Sequence, residues 1–134
     1  MTYLEMPRRI CQDICVEQIG LETLVYDEQR HKAFCLNATS SAIWRRCDGT
    51  QTVEQIAAAV TLELAAPITG DVVLFALGEL RRDGLLEVDT AVSAAVISRR
   101  DMVQKIGIRA ALLLPVVAAI VAPKAAQAYG GVDS

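Results

Sequence analysis

Few residues in this chain of 134 are of types that do chemistry, and their spacing limits that chemistry further. Cysteines stand at 11, 15, 35 and 47, and His31 is the single histidine. The pair Cys11/Cys15 has C-x3-C spacing rather than the C-x2-C of zinc ribbons and thioredoxin-like redox sites. With one histidine the set completes no ligand shell, so no metal site and no cofactor are predicted. No N-terminal signal peptide precedes these cysteines, and the thiols are expected to stay reduced, as in a cytoplasmic protein. Cys35 and Cys47 lie in apolar runs and read as small buried hydrophobes. The chain also lacks a nucleophile with a paired base, a Gly-rich phosphate loop and a close carboxylate pair in an evident cleft. Catalysis by this chain alone is not expected.

Binding chemistry remains, and it resides in two stretches. In His31-Lys-Ala-Phe-Cys-Leu36, alternation puts Ala33 and Cys35 on one strand face and Phe34 and Leu36 on the other. Further on, Val73, Ala76, Leu77 and Leu80 share one arc of a helix, and Val72, Phe75 and Glu79 share the neighbouring arc. Together the arcs span about 200°, against roughly 100° for a helix that buries a single face. Either this helix is buried on two sides, for instance by the C-terminal tail, or it offers a second apolar strip to a partner.

The positioning elements follow from turn and cap signals. Residues 14–19 alternate loosely up to Gly20, Leu24-Val-Tyr26 follows, and Asp27–Arg30 is a polar turn before the third run. Three short strands with tight connections predict an antiparallel meander, which needs helices over one face. Asn37 and Thr39 are candidate caps for a first helix that Asp48-Gly49 stops. Thr52-Val-Glu-Gln55 matches a capping box for a second helix that closes at Ala66-Pro67. Thr69 caps a third, helped by Asp71 in its first turn, which runs to about Asp83. Leu85-Leu86-Glu87-Val88 then reads as a final short strand. The predicted class is α+β and winged-helix-like, a three-stranded antiparallel sheet plus three helices, with an extra apolar C-terminal helical tail.

Composition separates the tail from the rest. The chain is 53% apolar with a mean hydropathy of +0.35, yet residues 106–128 alone hold 17 apolar side chains in 23 positions. Residues 1–97 carry 8 Lys/Arg against 14 Asp/Glu, and residues 98–134 carry 5 against 2. We therefore divide the chain into a domain over 1–90 and a linker with a signal-like tail over 91–134. An acidic body argues against nucleic acid as main partner, because phosphate neutralisation supplies most of that affinity.

The run Leu36-Asn37-Ala-Thr39-Ser-Ser-Ala-Ile43-Trp44, then Cys47-Asp48-Gly49, then Thr52-Val53-Glu54-Gln55-Ile56-Ala57, resembles the PqqD family. So does Asp71-Val72-x-x-Phe75, followed by Leu80 and Gly84-Leu85-Leu86. The resemblance covers about residues 7–90. It implies a RiPP recognition element, a small winged-helix-like module that binds the leader of a ribosomally made precursor peptide. Such a module presents the peptide to a modifying enzyme, a radical SAM protein in the founding case. It also implies that the leader adds as a strand beside the third strand, in the groove with the third helix. Carried onto this sequence, the edge is Lys32, Ala33, Phe34, Cys35 and Leu36, and the groove wall is Val72, Phe75, Ala76 and Glu79. Arg81 and Arg82 could meet acidic leader residues. β-Augmentation suits such an edge, since backbone hydrogen bonds give affinity and side-chain pockets give specificity.

Two other classes compete with that reading. One is a structural or interaction module anchored to a membrane or partner by its tail. The other is a winged-helix DNA-binding regulator, whose recognition helix would here carry Asp71, Glu79 and Asp83 against Arg81 and Arg82 and no base-reading Asn, Gln or Lys.

The tail, from Ser98-Arg99-Arg100 through the apolar stretch to Ala126-Gln-Ala128, looks like a twin-arginine signal set at the wrong end of a chain. Its apolar stretch, interrupted by Arg109 and Pro115, is short of the ~20 residues that a span needs. It is expected to form a helix from near Ser98, broken about Pro115. That helix lies on a membrane surface through residues 98–128, folds back on the body, pairs with a second copy in a homodimer, or is recognised by a partner.

Overall fold

The computed structural model describes residues 6–87, 98–107 and 113–120. Val88, Arg109 and Ala126–Ala128, to which the sequence assigns roles, lie outside the described residues.

The meander forms as predicted. Strands β1 (Ile14–Ile19), β2 (Glu22–Asp27) and β3 (Lys32–Leu36) pair antiparallel in sequence order. Both hairpins turn through left-handed backbone, at Gly20 (φ 62°) and at His31 (φ 54°). Alternation on β2 and β3 sends Thr23, Val25, Phe34 and Leu36 inward, all buried, with Leu24, Ala33 and Cys35 half-buried on the other face.

Helices α1 (Ala38–Arg45), α2 (Val53–Leu64) and α3 (Gly70–Arg82) cover the inner face. Each starts where a side chain satisfies an orphan backbone donor. Asn37, not Thr39, caps α1 by accepting from Ser40 N at 3.0 Å. Thr52 and Gln55 complete the capping box reciprocally, and Thr69 caps α3. Trp44 on α1 is buried and donates its indole N–H to Leu85 O at 3.0 Å.

The segment after α3 departs from expectation. Leu85-Leu86 joins no sheet strand. It pairs instead with the N-terminal segment, through Ile10 N to Leu85 O, Glu87 N to Arg8 O and a bridge between Arg9 and Leu86. Residues 7–10 reach the end of α1 as well, through Arg9 N to Cys47 O and Gly49 N to Pro7 O. They form a strap between two loops, which occupies the groups that a fourth meander strand would have used.

The fourth strand comes from the tail. Ser98 caps a helix α4 (Arg99–Ile106), as the sequence predicts, but among the described residues that follow, Val117–Ile120 form a strand, β4, which pairs antiparallel with β3. The sheet order is β1-β2-β3-β4. The tail is thus helix and strand, not helix throughout. A run of Val and Ala suits either state, and pairing with β3 decides between them. Met102, Leu114 and Val117 are buried within the same hydrophobic cluster as Phe34, Leu36, Val72 and Leu80. Full burial of such side chains contributes about 1.5–3 kcal/mol each, which offsets part of the entropy cost of ordering the segment. No helix among the described residues is long and apolar enough to cross a membrane.

Candidate functional site

The five strand residues assigned to peptide binding form β3, which lies between β2 and β4 in the sheet and is not the free edge that the sequence reading expects. That edge carries β4, in the register Ala33↔Ile120, Phe34↔Ala119, Cys35↔Ala118 and Leu36↔Val117. Lys32 is exposed and lies beyond the paired stretch.

The four helix residues divide. Val72 and Ala76 are buried in the core cluster. Phe75 and Glu79 are half-buried and meet the tail directly. The Arg99 guanidinium lies 5.2 Å from the Phe75 ring centroid, donates to Glu79 Oε1 at 3.3 Å, and donates to Pro115 O at 2.7 Å. One arginine therefore ties α3, α4 and the strand entry together by a cation–π contact, an ion pair and a backbone bond. One helical turn and a half away, Lys105 pairs with Asp71 at 2.7 Å. Of the two readings of the wide apolar arc on α3, burial on a second side by the tail is the one observed. Arg82 pairs with Glu79 at 2.6 Å on an exposed surface.

Asn37 is the residue that the sequence reading left as a cap alone. Its backbone N–H donates to Val116 O at 3.1 Å, its Nδ2 donates to Leu114 O at 2.8 Å, and its Oδ1 accepts from Val116 N at 3.1 Å while capping α1. A side-chain amide has two donors and an acceptor with two lone pairs, which suits it to these tasks together. The signal available in the sequence was its place between an edge strand and a helix. Arg99 was visible only as half of an arginine pair, and Leu114 and Val117 only as parts of an apolar stretch.

The remaining reactive groups lie apart from this junction. Burial pushes the Cys47 thiol up to about 12, with Arg9 opposing and Asp48 adding, so the thiol is inert. Cys15 donates to Glu28 Oε1 at 3.1 Å, and that carboxylate raises its pKa. No group of three or more His, Cys, Asp or Glu side chains among the described residues could hold a metal. An open groove between Ile10, Asp27, Arg30, Gly84 and Leu86 shares no residue with the nine assigned to peptide binding.

No curated protein and no solved structure matches the chain. A family model does: the one described as Coenzyme PQQ synthesis protein D (PqqD) matches residues 22–86, from the start of β2 to the Leu85-Leu86 segment that receives the strap. Those limits contain β3, α1 and its Asn37 cap, and all of α3, and over them the chain is similar to the PqqD family.

Proposed function

We propose that this protein binds the leader segment of a ribosomally made precursor peptide as an added strand on β3 and holds it for a modifying enzyme. The PqqD-family match supports the general role, a non-catalytic accessory in peptide modification. The finer reading rests chiefly on one observation: β3 already accepts an apolar strand in antiparallel register, and Phe75 and Glu79 on α3 engage the same segment through Arg99. Strand addition of this kind draws affinity from main-chain bonds and selectivity from flanking pockets. The acidic side chains of α3 are paired with arginine and lysine, and apart from Arg81 and Arg82 in its last turn the helix carries no side chain that reads base edges, so the regulator reading gains no support.

The test is calorimetric titration with the leader of a short open reading frame encoded beside this chain. Phe75→Glu and Cys35→Pro are each expected to weaken binding at least tenfold while the far-ultraviolet spectrum stays unchanged. Affinity unaltered in both variants would place the peptide elsewhere.

A further inference from the structure

The segment lying on the β3 edge is part of this chain, and it is held there as a ligand is held. Leu113–Ile120 reads Leu-Leu-Pro-Val-Val-Ala-Ala-Ile. Leu114, Pro115 and Val117 are buried, whereas Val116 and the three residues after Val117 are exposed. Asn37 bonds the backbone of Leu114 and Val116, and Arg99 bonds that of Pro115. Among the described residues beyond Val117, the register places Ala118, Ala119 and Ile120 against β3.

Resting on the peptide-binding reading, we infer that residues 113–120 are a built-in occupant of the site, which a peptide from another chain resembles and must displace. The chemistry of the incoming peptide follows from the occupant. It is an extended apolar strand with a Leu-Pro pair, a β-branched residue two positions after the proline, and small residues next. Main-chain groups at the first positions are read by Asn37 whatever their side chains, so selection falls on the three buried positions. An acidic side chain there would be desolvated among the apolar side chains of the core cluster that receives Leu114 and Val117.

Tethering makes the exchange conditional. A segment on a short linker meets its site at an effective concentration on the order of millimolar. A free peptide of equal intrinsic affinity therefore competes poorly while the tail is seated. Its apparent affinity falls by the fraction of molecules in which the edge is open, so an edge open in about one molecule in ten costs tenfold. The ion pairs Arg99–Glu79 and Lys105–Asp71 are exposed enough to be screened by salt, which makes them the adjustable part of the closure.

The experiment uses the full chain and a fluorescein-labelled synthetic peptide with the sequence of residues 113–120, flanked by lysines for solubility, read by fluorescence anisotropy. A full chain carrying Val117→Asp, with its own strand unseated, is expected to bind this peptide at least tenfold more tightly than the unaltered chain. Arg99→Ala, which leaves the inner face of the sheet intact, is expected to shift affinity in the same direction by a smaller factor, and circular dichroism verifies that both variants remain folded. A peptide with aspartate in place of the second leucine and the second valine is expected not to bind. Equal affinity for unaltered and unseated chains overturns the tethered-occupant inference and leaves the β3-edge reading standing. Equal binding of the aspartate peptide overturns the assigned peptide chemistry. Absence of binding to every chain overturns the edge reading and the inference together.

Discussion

Asn37 and Val116 hold one another through two hydrogen bonds, Asn37 N to Val116 O and Val116 N to Asn37 Oδ1, both 3.1 Å long. The first comes from the strand-end backbone and the second from the side chain that starts α1, so a single residue couples the sheet, the helix and the tail. By the alternation of an antiparallel ladder, the N–H groups of Cys35 and Ala33 face the same way as that of Asn37. Proline at 35 therefore removes a donor to the added strand while leaving the β2–β3 ladder bonds in place.

Replacement of Asn37 separates its two roles. Asn37→Ala removes the cap, which costs about 0.5–2 kcal/mol by itself, and also leaves Leu114 O and Val116 N without their partner. Asn37→Ser retains a capping oxygen for Ser40 N and cannot span to both tail groups. Urea denaturation is expected to order the variants native, then Ser, then Ala. Amide exchange at Val117–Ile120 should accelerate in both variants, which a role confined to the cap would not produce.

Ala65 ends α2 with φ 51° and ψ 43°, in the left-handed region, where a β-carbon is penalised. Ala65→Gly is expected to stabilise the protein by about 0.5–1 kcal/mol, measured by thermal or urea unfolding. The change touches no site residue, and peptide affinity should be unaffected.

Ser40 is fully buried, and its hydroxyl has no hydrogen-bond partner, while its neighbour Ser41 bonds Thr23 across the sheet–helix interface. An unpaired buried hydroxyl costs roughly 1–3 kcal/mol. Ser40→Ala is therefore expected to be neutral or stabilising, whereas Ser41→Ala, which orphans Thr23, is expected to destabilise by about 1–3 kcal/mol in the same denaturation assay.

Asp27 lies buried at the end of β2. Burial opposes its ionisation, but the Arg30 guanidinium at 2.7 Å and the backbone N–H groups of Arg30 and Gln29 outweigh that, and its pKa lies below the ordinary 3.8. A carboxyl depressed in the folded state stabilises above its unfolded pKa, and the contribution is lost as pH falls through the folded value. Glu63, between Arg45 and Arg46, is lowered from 4.5 in the same sense against its own burial. Unfolding free energy should therefore decline below about pH 4. Asp27→Asn should lower stability at pH 7 and flatten that acid decline, as followed by urea titrations across pH.

Local signals carried most of the fold. Caps at Asn37, Thr52, Thr69 and Ser98 start four helices, and the alternation over Ala33–Leu36 sorts β3 correctly between core and outer face. Two pairings were not legible, for a common reason: their partners lie far away in sequence. Leu85-Leu86 looks like a strand, and nothing local says that its partner is Arg9 rather than the sheet. The stretch from Val116 to Ile120 satisfies a helix pattern as well as a strand, and only contact with Leu36, some 80 positions earlier, selects the strand. The candidate site was legible as an edge and a helix face, and cover of the helix by the tail was one of the open readings; pairing of the tail with β3 was not legible.

The strap of residues 7–10 bears on where this molecule can be cut. It lies outside the 22–86 stretch by which the family is recognised, as do β1 and β4. A fragment trimmed to those limits would lose the backbone donors to Cys47 O and Leu85 O from Arg9 and Ile10, the Arg9 guanidinium 5.8 Å from the Trp44 ring centroid, and the outer neighbours of both β2 and β3. It would enter solution with two bare strand margins on a three-helix remnant, prone to association through them. What folds as a unit extends past what is recognisable as one, and useful boundaries for expression lie before Pro7 and after Ile120.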